Sequence, residues 1–267
     1  MRSASYLKWF FKSKNYFDPM GPRWADFSFP PPSGGLAPLK VVSYNIRHSS
    51  KVDDAIRLIQ NNGQLADPDI LLAQEKTPEA VAKLARALKM NYVYYPSFVH
   101  PEINKDFGNA ILSRWPIRQD RKIILPHLDE TQHIRIAVEA LIEIGQRKVR
   151  VYCLHMRVFL KPDFRRHQLE TLTHDIPDGA VYCIVGGDFN TITRSGLYAV
   201  NQTFKDKKFV DATKAIGWTH KQRFLLYPVR TKLDHIFAKG FQIKSAGKVA
   251  DLKPSDHLPI WAVLEFA

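Results

Sequence analysis

The chain has 267 residues, 45% of them hydrophobic, which is enough to bury a sizeable core. Its 39 Lys+Arg against 26 Asp+Glu leave a net charge of +13, a field that draws polyanions such as nucleic acid or anionic lipid head groups, or that serves only solubility. Cys153 and Cys183 are too few for a disulfide framework, and no apolar run is long enough to span a bilayer. The expectation is a soluble, cytoplasmic, monomeric protein with two buried free thiols, a bridge between the two apolar runs that hold them staying open.

Residues 3–18 predict a short amphipathic helix with Tyr6, Leu7, Phe10 and Phe11 on one face. That face packs on the rest of the protein or touches a membrane or nucleic acid. The stretch Trp9-Phe10-Phe11 is broken at once by Lys12 and Lys14, so it reads poorly as a signal peptide. Phe29-Pro30-Pro31-Pro32-Ser33-Gly34-Gly35 has the composition of a semi-rigid linker. The expected division is an extension over 1–38 and one folded domain over 39–267.

From Leu39 the texture changes. Apolar runs predict strands at 39–46, 69–73, 92–95, 109–113, 121–125, 135–144, 148–155, 180–185, 233–238 and 260–266. Helical spacing marks 51–60, 78–88 and 164–174. The order begins βαβα and then runs strand after strand. Two sheets packed face to face and flanked by a few helices fit this better than a regularly alternating parallel sheet.

Polar residues of ligand type recur at the ends of the apolar runs, where loops can gather them into one cleft. Val41 to Ile46 carries Asn45, and Asp69 to Glu75 ends in Gln74-Glu75. Val151 to His155 ends in His155, and Cys183 to Asn190 ends in Gly186-Gly187-Asp188-Phe189-Asn190. Asp234-His235 and Ser255-Asp256-His257 follow. Carboxylates and amide oxygens without thiolates suit a hard cation such as Mg²⁺ or Mn²⁺. Imidazoles exchange protons near neutral pH, and the combination describes hydrolysis of a phosphate ester. Singly each residue has an ordinary reading: Asn45 a turn, Glu75 an exposed helix-start acid, His155 a satisfied core histidine.

The ordered series resembles the motif series of the endonuclease/exonuclease/phosphatase superfamily, which includes deoxyribonuclease I, abasic-site endonucleases, neutral sphingomyelinases and inositol polyphosphate 5-phosphatases. The resemblance spans about Lys40 to Glu265. It implies an α+β fold, a four-layer αββα sandwich of two mainly antiparallel sheets with the active site at one edge. It also implies roles: Asn45 and Glu75 hold the metal with Asp256 beside them. Asp188 orients or deprotonates the attacking water, and Asn190 holds the phosphate. His257 binds phosphate or moves a proton, oriented by Asp234. His155 is the proton donor to the leaving oxygen. Its supporting carboxylate is expected near 95–98, where this chain has Pro96 and Ser97, so Glu102 serves instead or His155 mainly binds phosphate. Arg135 matches a phosphate-contacting arginine, Asn109 a substrate-side contact, and Arg114 a structural position.

Nucleic acid is the expected substrate, supported by the charge and by Arg157, Lys161, Arg165, Arg166 and His167 after His155. Arg165 and Arg166 also read as the solvated face of a helix. A phospholipid or small-molecule phosphoesterase is the alternative, with the N-terminus as its interfacial anchor.

Overall fold

The computed structural model describes residues 14–33, 38–128, 133–158, 161–224 and 227–267. The helix expected over 3–18 lies mostly outside these residues, and residues 14–18 are not helical. Instead Asn15 bridges to Phe98, Tyr16 N–H donates to Ser97 O at 2.9 Å, and the Lys122 ammonium donates to the carbonyls of Tyr16 and Gly21. The backbone of this stretch is thus satisfied by a neighbouring strand, which removes the need for a helix.

Fifteen strands are seen among the described residues: β1 (Trp24–Asp26), β2 (Leu39–Asn45), β3 (Ile70–Lys76), β4 (Asn91–His100), β5 (Lys105–Ser113), β6 (Ile117–Ile124), β7 (Ile136–Ile144), β8 (Arg147–His155), β9 (Tyr182–Asp188), β10 (Val210–Asp211), β11 (His220–Phe224), β12 (Tyr227–Thr231), β13 (Asp234–Lys239), β14 (Phe241–Lys248) and β15 (Ile260–Phe266). One sheet has the order β1-β4-β5-β3-β2-β15-β14, the other β10-β13-β9-β8-β7-β6, and β11 and β12 form a separate two-stranded sheet. Each large sheet is antiparallel except for one parallel pair, β2 with β3 and β8 with β9.

Among the described residues four α-helices cover the outer faces: α1 (Val52–Asn61) and α2 (Pro78–Leu88) on the first sheet, α3 (Pro162–Asp175) and α4 (Arg194–Asp206) on the second. The sequence explains where they begin. Thr77 and Thr193 accept backbone N–H bonds from Ala80 and Gly196, and Pro78 occupies the first turn of α2. In α1, Ala55, Ile56 and Ile59 are buried on one stripe against Tyr44, Leu71 and Leu84. This is the expected four-layer αββα sandwich of the deoxyribonuclease I kind.

Between the sheets lies an apolar layer that includes Ile70, Leu72, Ile111, Val138, Val151, Ile184 and Ile236. Each such side chain contributes roughly 1.5–3 kcal/mol on burial. Cys153 and Cys183 are buried free thiols. The segment expected as extension adds β1 to the first sheet by pairing with β4. No helix among the described residues is long and apolar enough to cross a membrane.

Candidate active site

The two parallel pairs decide where chemistry can gather. Parallel strands deliver their C-terminal ends to the same edge of a sheet. Asn45 therefore sits opposite Gln74 at the ends of β2 and β3, and His155 opposite Asp188 at the ends of β8 and β9. Strand β13 runs antiparallel to β9, so its first residue, Asp234, lies opposite Asp188. His155, Asp188 and Asp234 thus form a row across one sheet, facing Asn45 and Glu75 on the other.

Glu75 reaches the cleft through a bulge. The register of β3 against β5 shifts between Ala73 and Lys76, and Glu75 has φ 59°. Such a left-handed residue inside a strand re-aims its side chain. The carboxylate is held from several sides. Asn45 Nδ2 donates to Oε1 at 3.1 Å, His48 N–H to Oε2 at 3.2 Å, and His48 Nε2 lies 3.6 Å from Oε2. Asn45 Nδ2 also lies 3.1 Å from Asp188 Oδ2, so one buried amide joins the two sheets through two carboxylates.

The glycines before Asp188 have a steric cause. Gly187 has φ 140°, and a Cβ there would lie 2.0 Å from Leu154 O. The turn after it is closed by Asn190 N–H, which donates to Asp188 Oδ1 at 2.9 Å, and by Asn190 Nδ2, which donates to Met156 O at 2.8 Å. Arg165, on α3, locks this turn from beneath. Its guanidinium donates to the carbonyls of Phe189, Asn190 and Arg157. Arg165 is buried, so it belongs neither to an exposed basic track nor to a solvated helix face; Arg166, beside it, is exposed and pairs with Asp163.

His257 completes the centre from the loop before β15. Its Nδ1 lies 2.9 Å from Asp234 Oδ2, and its Nε2 3.7 Å from Asp188 Oδ2. Thr219 Oγ1 donates to Asp234 Oδ2 at 2.6 Å, which fixes the carboxylate behind the ring. Ser255 Oγ donates to Asn45 O at 2.7 Å and ties this loop to β2.

Charge follows from this packing. For His257, burial opposes protonation, but Asp234 and Asp188 outweigh it and lift the imidazole to about 10. Burial raises Asp188 to about 7 against the pull of His257. Burial and the Arg135 charge push His155 down to about 3, so its ring is neutral. Burial also opposes ionisation of Glu75, yet His155, His48 and Asn45 together draw it down to about 2. The four groups are therefore differentiated although they share one cleft.

The other expected residues fall as follows. His155 Nε2 lies 3.6 Å from Asp188 Oδ2 and 3.9 Å from Glu75 Oε1. Its carboxylate neighbours are these two acids; Glu102 groups with His48 and His100 instead. Asp256 sits on the same rim, where it forms an ion pair with Arg47 at 3.2 Å and groups with His220 and His257. Arg135 lies with its guanidinium 5.8 Å from the Phe98 ring centre, and its buried Nε has no hydrogen-bond partner among the described residues. Asn109 Nδ2 donates to Ile136 O at 3.0 Å and so ties β5 to β7 across the core. His48, Thr219 and Arg165 were not singled out as site groups from the sequence. None ends an apolar run or falls in the motif series that carries the resemblance.

The donor set fits a hard cation. Ligand atoms of Glu75, His155 and Asp188 lie within 4.8 Å of one another, as do those of Asp188, Asp234 and His257. Among the described residues Asn45 Oδ1 is buried without a hydrogen-bond partner, while Nδ2 of the same amide faces the ionised Glu75. A buried amide oxygen left without a donor, on an amide set against a carboxylate, is an acceptor that a divalent cation satisfies.

A profile described as the Endonuclease/Exonuclease/phosphatase family matches residues 42–257, and the chain belongs to that family. No curated protein matches the chain in a sequence comparison. Solved structures share its fold. An endonuclease/exonuclease/phosphatase from Bacteroides vulgatus is 18% identical with a TM-score of 0.70, covering 87% of this chain and 100% of its own. TDP2 of D. rerio, complexed with single strand DNA product, is 16% identical with a TM-score of 0.67, covering 86% and 100%. The mannosyl-6-phosphatase Bt3783 of Bacteroides thetaiotaomicron VPI-5482 is 20% identical with a TM-score of 0.66, covering 85% and 100%. The chain is a phosphoesterase of this superfamily.

Proposed function

We propose that the protein is a divalent-cation-dependent phosphodiester hydrolase acting on nucleic acid, with Mg²⁺ or Mn²⁺ as the cation. The observation that carries this reading is the meeting of an ionised Glu75, an Asp188 poised near 7 and a protonated His257, with Asp188 and His257 3.7 Å apart. Asp188 takes the proton from an attacking water, whose oxygen bonds to phosphorus as the ester P–O bond breaks. The departing oxygen takes its proton from His257 Nε2. The proton left on Asp188 then returns across that short gap to His257, which resets both groups. Asp234 fixes the imidazole through Nδ1, so Nε2 faces the reaction.

Arg135 and Asn190 bind non-bridging phosphate oxygens, and the neutral His155 hydrogen-bonds to the phosphate group. Asn45 Oδ1 and Glu75 would hold the cation, with Asp256 tuning that end of the cleft; when bound, the cation would supply Lewis-acid stabilisation of the negative charge that builds on the phosphate oxygens.

Nucleic acid is favoured by the net charge of +13 and by the fold likeness to TDP2, whose structure holds a single strand DNA product. A small-molecule phosphate ester or a phospholipid is the second reading, favoured by the comparable likeness to a mannosyl-6-phosphatase. The test is a panel of single- and double-stranded DNA, RNA, bis(p-nitrophenyl) phosphate, sphingomyelin and sugar phosphates, with Mg²⁺ and with EDTA. Cleavage of nucleic acid that EDTA abolishes supports the proposal. Turnover of a sugar phosphate or sphingomyelin alone moves the assignment to the second reading.

A further inference from the structure

The hairpin of β11 and β12 belongs to neither large sheet, yet it is rooted on the catalytic pair. His220, its first residue, bridges to His257, and the two rings lie 4.6 Å apart. Lys221 N–H donates to Asp256 O at 3.0 Å, and Leu258 N–H donates to Thr219 O at 2.7 Å. The position of the hairpin is thus fixed by the loop that carries His257.

Its charge is one-sided. From Trp218 to Lys232 the sequence holds Lys221, Arg223, Arg230 and Lys232, and no Asp or Glu. The register sets Lys221 directly opposite Arg230. Like charges facing each other across a strand pair repel and destabilise it. Neither residue pairs with a carboxylate among the described residues, and a third cation gathers at the same place. Trp218 carries Arg230 at 4.9 Å and Lys248 at 4.6 Å from its ring centre. On the alternate face, which begins with His220 beside the catalytic ring, Tyr227 is 76% exposed.

We propose that this hairpin is the arm that holds the single-stranded segment of nucleic acid flanking the scissile phosphodiester, Lys221 and Arg230 binding successive phosphates and Tyr227 stacking on an unpaired base. The proposal rests on the nucleic-acid reading above. Phosphates bound at Lys221 and at Arg230 offset the repulsion between the two cations. An exposed phenol ring offers a base the apolar face that single strands supply and duplexes hide.

The test uses the full chain, a fluorescent single-stranded oligonucleotide, and anisotropy measured in EDTA so that binding is read without turnover. The double variant Lys221→Ala/Arg230→Ala is expected to bind about tenfold or more weakly at low salt, and to lower the slope of log Kd against log salt by about 1.4, two contacts at about 0.7 each. Tyr227→Ala is expected to weaken binding about fivefold or more with its slope unchanged. Hydrolysis of bis(p-nitrophenyl) phosphate by all three proteins stays at the wild-type rate, which also shows that they are folded.

Wild-type affinity and slope in the double variant would overturn the proposal. So would a loss seen only for vesicles containing phosphatidylserine, which would make the arm a membrane contact. A wild-type protein that binds the oligonucleotide through these residues but cleaves no nucleic acid refutes the nuclease reading and leaves the arm as a binding surface.

Discussion

His257 and Asp234 form a buried hydrogen-bonded pair, Nδ1 to Oδ2 at 2.9 Å, and the pairing leaves Nε2 directed at Asp188. The carboxylate behind the ring fixes both its tautomer and its charge. The first prediction follows from this pair. With the imidazole lifted to about 10, activity persists through pH 8 to 9 and falls as the ring loses its proton. Asp234→Asn removes the leading cause of the upward shift. The alkaline limb of the kcat profile should then move down by more than one pH unit. A variant whose profile keeps the wild-type limb contradicts the assignment. Linkage gives a matching stability signature. Because the folded pKa exceeds the unfolded value of 6.5, the stabilisation is complete below about 6.5 and vanishes as pH rises through about 10. Unfolding free energies of wild type and variant should converge over that window.

Arg165 offers a second prediction. Among the described residues this buried guanidinium is hydrogen-bonded only to the carbonyls of Arg157, Phe189 and Asn190, and the Asp188 carboxylate offsets its charge only through space. Its work is to fix the turn that presents Asp188 and Asn190. Arg165→Met takes the guanidinium donor from the carbonyls of Phe189 and Arg157, while Asn190 O keeps the Ile192 N–H, and should cost roughly 2–4 kcal/mol of stability. Urea melts measure the loss; a change within about 0.5 kcal/mol would show that the turn stands without it.

Asn45 carries the third. Replacing it with Ala removes the orphaned Oδ1 and the amide that bridges Glu75 and Asp188. Mn²⁺ binding, followed by the loss of its free-ion EPR signal, should weaken about 10–100-fold. Unchanged affinity would place the cation elsewhere in the cleft.

The inter-sheet core gives a control away from the site. Ile184 is fully buried between the sheets. Ile184→Ala should destabilise by roughly 2–5 kcal/mol while leaving KM near its wild-type value. A coupled change in KM would show that the catalytic edge is not rigidly held by this layer.

Much of this was legible in the sequence because each catalytic strand is an apolar run ending in one polar residue. Asn45, Glu75, His155 and Asp188 were found that way, and the parallel pairing brings their strand ends together. Edge strand β14 was not legible, because its alternate positions face solvent and its middle holds Lys244, Ser245 and Gly247. Helix α4 escaped for a related reason: only Gly196, Val200 and Phe204 are buried along it. Arg165 read as one member of a basic run, and only the fold shows that it points inward. The supporting group for His155 was sought at 95–98 or at Glu102. It lies nearest Asp188 and Glu75, a proximity that only the facing of the two sheets creates.

The most direct measurement is Mg²⁺-dependent cleavage of a single-stranded oligonucleotide by wild type and by Asp188→Ala, each with and without EDTA. Wild type is expected to cleave the oligonucleotide, and EDTA to stop it. The variant should lose at least about 100-fold in kcat, the scale of a general base, while its far-UV circular dichroism spectrum shows that it is folded. Cleavage by Asp188→Ala at the wild-type rate would contradict the claim that this edge of the sandwich is the active site.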